Sequence, residues 1–358
     1  MEFVASPHPS PTSDEARQQE LANPGFGSRF TDHMVTIEWD EERGWHDAVV
    51  GPYQGITLDP SAAVLHYAQE IFEGLKAYRH PDGAIALFRP EQNARRLNAS
   101  ADRLAMPQLP EEVFLDSIRQ LIAVDGDWVP SAAGSSLYLR PFMIATEAFL
   151  GVRPAKKYKF VLIASPAGNY FKSGAPAVSI WISDYTRAAP GGTGAAKCGG
   201  NYAASLVPTK EAFERGHDQV LFLDAAEHKW IEELGGMNLF FAFEDGSVIT
   251  PPLAGTILPG ITRDSLITLM REEGLDVREE PYSIDQWQAD AESGKLIEAY
   301  ACGTAAVVTP VGKVEGRKGG FTIGSGGPGQ LTAKLRDRLV AIQRGTAEDT
   351  HGWVTRLT

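Results

Sequence analysis

The feature that most limits the architecture of this chain is a run of small residues around one lysine. Residues 187–206 read RAAPGGTGAAKCGGNYAASL, in which Lys197 is the only lysine and five glycines surround it. Glycine loses more conformational entropy than any other residue when it is ordered, so such a run indicates tight turns or a close approach to a ligand. On composition alone, a surface lysine on a flexible loop is the simpler interpretation of Lys197.

Length and charge narrow the class of protein. A chain of 358 residues favours two domains over a single core. The formal net charge of −13 argues against nucleic acid as a partner, because its phosphates require a basic face. No apolar run is long enough to span a membrane, and no segment has the pattern of a signal peptide. These features predict a cytoplasmic enzyme that binds neither nucleic acid nor a membrane.

Cysteine and histidine provide no sign of a metal site or a disulfide framework. Cys198 and Cys302 are the only cysteines, and they lie far apart without a CxxC spacing. The eight histidines form neither an HxxxH nor an HExxH pattern. An enzyme without a metal is therefore expected.

Hydrophobic periodicity predicts a mixed fold in two domains. Residues 1–26 are polar and rich in proline and serine, which predicts a mobile tail. Strands are predicted over 33–39, 135–145, 158–165 and 178–183, hairpins over 75–88 and 219–234, and helices over 61–75, 90–106, 110–124, 202–216, 260–270 and 329–344. The fold class is thus α/β (α+β), with a smaller N-terminal α+β domain (27–167), a linker (168–178) and a larger C-terminal domain (179–358).

Two phosphate-binding motifs nearly match the sequence. Lys197 does not complete a P-loop, because Ala196 precedes it and Cys198 follows it. GSGGPG, at 324–329, fits GxGxxG literally, but the chain ends before a second strand and an acidic ribose partner could follow. A loop that leads into a C-terminal helix is the better interpretation of 324–329.

Longer stretches carry a resemblance to a known family. The second half contains KCGGNYAAS, EELGGMNLFF, TPPLAGTILPGITRDSL and ACGTAAVVTPV, and the first half contains LHYAQEIFEGLKAY, FRPEQNARRL, SSLYLRPFMIATE and SPAGNYF. In order and spacing, from about residue 27 to the C-terminus, these stretches resemble the branched-chain amino acid aminotransferases. Those are pyridoxal 5'-phosphate enzymes of fold type IV. The resemblance implies two domains that close over the cofactor, and a homodimer in which a loop of the partner chain completes each site.

The resemblance also implies which residues bind the cofactor. Lys197 would hold it covalently and would then move a proton as general base and acid. A free lysine, with a pKa of ~10.4, is almost entirely charged at pH 7, and covalent attachment removes this obstacle. Glu233 would hold the proton of the pyridine nitrogen, and Tyr202 would donate to the phenolic oxygen. The further cofactor-binding residues implied are Arg96, Leu258, Ile261, Thr262 and Thr304. A solvated strand glutamate, a core tyrosine and a helix cap at Thr262 are the ordinary alternatives for Glu233, Tyr202 and Thr262. Strand alternation places Glu232 and Glu233 on opposite faces, so only one of them should enter the site.

Substrate recognition is implied in the same way. An apolar wall with hydroxyl tips would come from Tyr67, Phe72, Tyr138 and Tyr170. Arg140 would bind the distal carboxylate of glutamate or 2-oxoglutarate, and backbone N–H groups around Thr304 and Ala305 would bind the α-carboxylate. The implied reaction is the reversible, ping-pong transamination of L-leucine, L-isoleucine and L-valine with 2-oxoglutarate. A buried arginine paired with an acid is the structural alternative for Arg140.

Two enzymes of the same fold are the nearest alternatives, a D-amino acid aminotransferase and an aminodeoxychorismate lyase. They would keep Lys197 and Glu233 but not the substrate residues named above. A cofactor-binding protein without turnover is an alternative from another class. The chain departs from some relatives in lacking a CxxC pair after GTA, so no thiol switch is expected, and in having Gly236 where those relatives have threonine.

Overall fold

The structure is a computed structural model that describes residues 1–168 and 177–357. In chain order, the strands are β1 (Phe3–Ala5), β2 (His33–Asp40), β3 (Gly44–Pro52), β4 (Glu70–Phe72), β5 (Leu75–Arg79), β6 (Ile85–Phe88), β7 (Ser136–Ala145), β8 (Lys157–Ala167), β9 (Val178–Ile182), β10 (Gln219–Leu223), β11 (Ile231–Leu234), β12 (Asn238–Phe243), β13 (Ser247–Thr250), β14 (Asp276–Glu279), β15 (Leu296–Gly303), β16 (Val307–Gly316), β17 (Gly319–Thr322) and β18 (Val354–Arg356). The α-helices are α1 (Asp14–Ala22), α2 (Ala63–Tyr67), α3 (Pro90–Arg103), α4 (Glu111–Asp125), α5 (Gly199–Ala203), α6 (Leu206–Glu214), α7 (Ile261–Glu272), α8 (Ile284–Ser293) and α9 (Gln330–Gln343). The predicted strands, both predicted hairpins and four of the six predicted helices are confirmed by these elements.

The chain divides into two compact units that are not contiguous in sequence. The first comprises Met1–Tyr170, Ala196–Gly199 and Ala341–Thr358, and the second comprises Phe171–Ala195 and Gly200–Val340. The division predicted from the sequence differs, because it assigned the lysine segment and the C-terminus to the second domain and made that domain the larger. Strand pairing explains the difference, since β18 pairs with β6 and Cys198 forms a β-bridge with Ile71. Most of the predicted linker lies outside the described residues.

The first unit is built on a mainly antiparallel sheet. Its strand order is β1-β3-β2-β8-β7-β5-β6-β18, and β4 pairs with β7 beside this path. One face of the sheet contributes to a core with α3 and α4, in which Leu97, Phe114, Ile118, Leu139 and Phe160 are fully buried. The strongly apolar spacing of these segments made this core predictable.

One helix prediction for the first unit is wrong, and the predicted tail contains regular secondary structure. The predicted helix over 61–75 ends at Tyr67, where Ala68 adopts a left-handed conformation, and β4 follows. Pairing of β4 with β7 therefore outweighs the helical spacing of the sequence. The tail predicted to be mobile contains β1, which pairs in parallel with the edge of β3, and the helix α1. An open sheet edge offers unpaired N–H and C=O groups to such a segment.

The second unit has a mixed sheet of strand order β11-β10-β9-β16-β15-β12-β13-β14, with β17 paired to β16. Aromatic contacts centred on Phe241 join this sheet to α8, with the ring of Trp287 at 4.8 Å and that of Tyr282 at 4.7 Å. The helix predicted over 202–216 is two helices, α5 and α6. Ser205 separates them, because both its N–H (3.0 Å) and its hydroxyl (2.7 Å) donate to the carbonyl of Tyr202. No helix in the described ranges combines the length and apolar character needed to cross a membrane.

Candidate active site

Lys197 lies in the first unit, in a segment that is bound to β4 and α3. The Lys197 carbonyl accepts a hydrogen bond from the Phe72 N–H at 3.0 Å, and the Lys197 N–H donates to Ser100 Oγ at 2.9 Å. The next residue, Cys198, forms the β-bridge with Ile71 and is part of the buried core. The interpretation of Lys197 as a surface residue on a flexible loop is therefore wrong.

The environment of the Lys197 amine favours its neutral form. Burial, with Arg96 beside it, lowers the pKa of Lys197 to about 8, although Glu73 opposes this effect. The amine nitrogen lies 4.8 Å from the centre of the Phe72 ring. At pH 7 roughly a tenth of such amines are neutral, against about one in a few thousand for a free lysine. The amine can therefore act both as a nucleophile and as a proton acceptor near neutral pH.

Arg96 is held by a carboxylate that the sequence did not single out. Arg96 Nε and one terminal nitrogen donate to Glu73 at 2.7 and 2.9 Å, and the two side chains are 9% and 0% exposed. The Glu73 carboxylate also accepts from Asn93 at 2.8 Å and from the Gly74 N–H at 3.1 Å. Burial raises the pKa of Glu73, but Arg96, Lys197 and Asn93 together more than reverse this, so the carboxyl pKa is below its ordinary value. A single carboxylate in an otherwise apolar run, IFEGL, is the signal that could have identified it.

Three predicted substrate residues lie together on the face of the first sheet that points away from the core. Arg140 lies over the Phe72 ring at 4.7 Å, and its guanidinium donates to the Tyr138 hydroxyl at 3.3 Å. Gly74 is required here, because a Cβ at this position would overlap the Tyr138 hydroxyl. Phe26, within the predicted tail, packs edge-on against the Tyr138 ring at 5.2 Å, a contact that the sequence did not reveal.

The two remaining tyrosines of the predicted wall have different outcomes. Tyr67 ends α2, is 38% exposed, and donates its hydroxyl to the carbonyl of Leu150. Tyr170 lies outside the described residues. The predicted wall is therefore described for Phe72, Tyr138 and Tyr67 only.

Glu233 lies in the second unit, on β11, and is almost fully buried. One carboxylate oxygen accepts the Leu258 N–H at 2.8 Å, and the other contacts the guanidinium of Arg187. Arg187 also donates to the Thr256 carbonyl at 3.0 Å. A solvated glutamate is therefore excluded for position 233, and Leu258, predicted as a cofactor residue, contacts Glu233 through its backbone.

The neighbouring carboxylate, Glu232, is also buried. Burial raises the pKa of Glu232, and a hydrogen bond from Thr256 together with the charge of Arg187 opposes that rise. One of its carboxylate oxygens is buried without a hydrogen-bond partner among the described residues. Strand alternation alone therefore does not distinguish the two glutamates, because neither lies in solvent.

The N-terminus of α7 has the features of an anion site. Gly260 is its N-cap, and no side chain in the described part of the chain caps it, so a cap by Thr262 is not observed. Ile261 and Thr262 form the first turn, whose N–H groups and helix dipole favour a phosphate. Asn238 supports the approach to this turn by donating to the Leu258 carbonyl at 3.1 Å, and a Cβ at Gly260 would overlap its amide.

Thr304 and Ala305 lie in the turn between β15 and β16. The pair Gly303 and Val307 closes this turn, and Val307 has a φ of 61°. A positive φ is a strained conformation for a β-branched residue, and such strain often occurs at functional sites.

Gly236 and the Tyr202 ring lie in contact within the second unit. A Cβ at Gly236 would meet the Tyr202 hydroxyl at 3.5 Å, which is ordinary van der Waals contact. An alanine would therefore fit at position 236 without displacing Tyr202.

A protein carboxylate occupies the helix N-terminus behind the GxGxxG match. Glu298 accepts the N–H groups of Leu331 at 2.9 Å and Thr332 at 2.8 Å. Gly329 is needed for this contact, because a Cβ there would overlap the Glu298 carboxyl. The interpretation of 324–329 as a loop before a helix is confirmed. Within residues 1–168 and 177–357, no group of three or more His, Cys, Asp or Glu side chains could hold a metal ion.

Comparison with known proteins defines the class. A family profile described as Amino-transferase class IV matches residues 70–314, which include Lys197, Glu233 and the α7 N-terminus. The fold is thus that of a class IV aminotransferase, a two-domain fold of type IV with mixed α/β structure.

Relatives identify the family within that class. The branched-chain-amino-acid aminotransferase of Mycolicibacterium smegmatis is 59% identical over 362 aligned positions, covering 100% of this chain and 98% of that protein. The crystal structure of the Escherichia coli branched-chain amino acid aminotransferase has a TM-score of 0.77 and 28% identity, covering 91% of this chain and 99% of that one. The Thermobaculum terrenum branched-chain amino acid aminotransferase in its PLP form has a TM-score of 0.71 and 25% identity, with coverages of 90% and 98%. The chain belongs to the branched-chain amino acid aminotransferases, and the two alternative enzymes of the same fold are set aside.

Proposed function

We propose that the protein catalyses the reversible transamination of L-leucine, L-isoleucine and L-valine with 2-oxoglutarate, using pyridoxal 5'-phosphate. The observation that carries this proposal is the Lys197 amine, which lies 4.8 Å from the centre of the Phe72 ring and whose pKa is lowered to about 8 by burial and by Arg96. An amine of this kind suits covalent attachment of an aldehyde cofactor and proton transfer at neutral pH. A cytoplasmic location remains a prediction from the sequence.

Within each unit, described residues suit particular functional groups of the cofactor. The first turn of α7, which lacks a side-chain cap among the described residues, suits the phosphate, and the buried Glu233 suits a protonated ring nitrogen. The Arg96 guanidinium donates two N–H groups to Glu73, and we propose that it also contacts the phosphate. The residues that would hold the cofactor are Lys197, Arg96, Tyr202, Glu233, Leu258, Ile261, Thr262 and Thr304.

The chemistry of the reaction is then divided between the cofactor and the chain. When bound, pyridoxal phosphate supplies the electron sink for the α-carbon of the substrate. Lys197 Nζ would take the α-proton of the substrate and return it to the carbon on the other side of the amino nitrogen, so the same amine would serve as base and as acid. Glu233 retains the ring-nitrogen proton, and backbone N–H groups at Thr304 and Ala305 orient the α-carboxylate.

Dual specificity is supported by the arrangement of Phe72, Tyr138 and Arg140. The two rings offer an apolar surface to a leucine side chain, and the guanidinium over the Phe72 ring offers a cation to the distal carboxylate of glutamate. One surface can therefore accept both classes of side chain. Tyr170 is proposed to extend this surface.

A homodimer is supported by exposed apolar side chains near Tyr67. Leu65, Leu150 and Val152 are 58%, 66% and 88% exposed in the single chain. A group of exposed large apolar residues indicates an interaction surface. We propose that it contacts the partner chain and that a loop of the partner completes each site.

The test is the visible absorption of the purified protein, before and after addition of L-leucine and then of 2-oxoglutarate. Leucine should remove the absorption band of the lysine-bound cofactor, and 2-oxoglutarate should restore it, whereas Lys197→Ala should show neither change. A band that responds to D-alanine but not to leucine would contradict the proposed substrate. A protein that binds no cofactor after reconstitution would refute the proposal as a whole.

A further inference from the structure

We propose that Arg187 is a positioning residue that determines which of two adjacent buried glutamates, Glu232 or Glu233, carries the negative charge. Arg187 assigns that charge to Glu233, and Glu232 carries a proton instead. The proposal rests on the proposed function, because an ionised Glu233 is what the cofactor ring nitrogen requires.

The contacts of Arg187 are made almost entirely inside the second unit. Its side chain is 5% exposed, and that of Glu233 is 2% exposed. One terminal nitrogen contacts a carboxylate oxygen of Glu233 and also donates to the Thr256 carbonyl at 3.0 Å. The other oxygen of Glu233 accepts the Leu258 N–H at 2.8 Å. The carboxylate is therefore fixed from two sides, by an ion pair and by a backbone donor.

Glu232 has a poorer set of partners for a negative charge. It accepts a hydrogen bond from Thr256, interacts with Arg187 only through its charge, and is also subject to the charge of Asp224. Its second oxygen is buried without a partner in the described ranges. A buried carboxylate without a directly bound cation favours the protonated form, because the charged form loses its hydration.

Charge balance leads to the assignment. In the described part of the chain, Arg187 is the cation that contacts this pair of buried carboxylates, Asp224 acts on Glu232 through its charge, and the Tyr202 ring lies beside Gly236. One cation can neutralise one carboxylate, and direct contact favours Glu233. A carboxylate can accept about four hydrogen bonds, so the pair with Arg187 is compatible with a ring N–H as a further donor.

The first experiment measures how the protein distinguishes pyridoxal phosphate from an analogue in which carbon replaces the ring nitrogen. Dissociation constants of both are measured for the wild-type apoprotein and for Arg187→Met, Arg187→Lys and Arg263→Met at pH 7. The ratio is the dissociation constant of the analogue divided by that of pyridoxal phosphate. This ratio is expected to fall about tenfold in Arg187→Met and to recover in part in Arg187→Lys. An unchanged ratio in Arg187→Met would overturn the proposal.

Arg263 provides a matched control. It is also buried, at 4% exposed, with one terminal nitrogen bound to a carboxylate, Glu279, and to a backbone carbonyl, that of Pro251, both at 3.0 Å. Its partner Glu279 is 38% exposed, so Arg263→Met removes a buried arginine without leaving a buried carboxylate, and it should leave the ratio unchanged. A fall in the ratio equal to that of Arg187→Met would mean that the loss is structural.

A second experiment requires no change at Arg187. The infrared spectrum of the full-length protein should contain a carbonyl band of a protonated carboxyl that disappears in Glu232→Gln and persists in Glu233→Gln. The reverse result would overturn the assignment even if Arg187→Met does not fold. Failure of the wild-type protein to bind pyridoxal phosphate would refute the proposed function, whereas the infrared result would still decide the charge assignment.

Discussion

Two consecutive arginines on α3 allow a direct test of how much a buried ion pair contributes to this protein. Arg96 pairs with Glu73, and the two side chains are 9% and 0% exposed. Arg95 pairs with Glu111 at 3.3 Å, and those side chains are 59% and 43% exposed. Glu73→Gln and Glu111→Gln therefore remove the same charge from neighbouring arginines in different environments.

The expected magnitudes differ several-fold. Glu73→Gln leaves the Arg96 charge buried without its anion, and removal of one partner of a buried pair costs about 3–5 kcal/mol in the free energy of unfolding. Glu111→Gln removes an exposed pair, which is worth about 0–1 kcal/mol. The Glu73 charge raises the pKa of Lys197, whereas Arg96 lowers it. Without the Glu73 charge, the pKa of Lys197 should therefore fall below about 8.

The assay is urea unfolding of the full-length apoprotein at several pH values. The pKa of Glu73 is lower in the folded chain than in the unfolded one, so its contribution is complete at neutral pH and is lost as the pH falls through the folded value. The difference in the free energy of unfolding between wild type and Glu73→Gln should therefore become smaller at acid pH. This account of the pair would be refuted if, at pH 7, Glu73→Gln lowered the free energy of unfolding no more than Glu111→Gln does.

Three further predictions concern single residues. Gly74→Ala should displace the Tyr138 hydroxyl and raise KM for 2-oxoglutarate in steady-state kinetics. Gly55→Ala is the control, because a Cβ there meets nothing within 4 Å, and it should leave KM unchanged. Equal KM values for the two variants would contradict the steric role of Gly74. Lys197→Met should stabilise the apoprotein by about 2–3 kcal/mol at pH 7. The pKa of Lys197 is about 8 in the folded chain and ~10.4 in the unfolded chain, so the charged amine destabilises the folded state at this pH. This gain should disappear as the pH rises from 8 to above 10 in urea unfolding, and a gain that is independent of pH would contradict it. Val307→Gly should relieve the positive φ of 61° and raise Tm, with ~1 kcal/mol released, and a lower Tm would show that the side-chain packing of Val307 outweighs the strain.

Two differences between the sequence predictions and the secondary structure have a common cause. The helix predicted over 61–75 has good helical spacing, yet its second half becomes β4 because β7 provides a strand to pair with. The tail over 1–26 lacks periodicity, yet β3 provides an edge that orders β1. In both cases the deciding partner is distant in the sequence, so local pattern could not reveal it.

The partners of the site residues were equally inaccessible. Lys197 and Glu233 were identified through their motifs, but Glu73, which balances Arg96, and Arg187, which contacts Glu233, were assigned no role. Both missed residues lie inside quoted motifs, IFEGL and RAAPGG. A motif specifies the residue type at a position, but it does not specify which charged group that residue contacts in the folded chain.

The sequence by itself determined the family, the elements with strong periodicity and the choice of Lys197 as the candidate reactive lysine, because these depend on residue type, order and spacing along the chain. Only the tertiary structure decided that the lysine segment and the C-terminus belong to the first unit, that the Lys197 amine has a pKa of about 8, and that Glu233 has a bound cation. Burial and electrostatic energy depend on distances through space between residues that are far apart in the chain. Residues 73 and 96, or 187 and 233, acquire their chemistry only when folding brings them into contact.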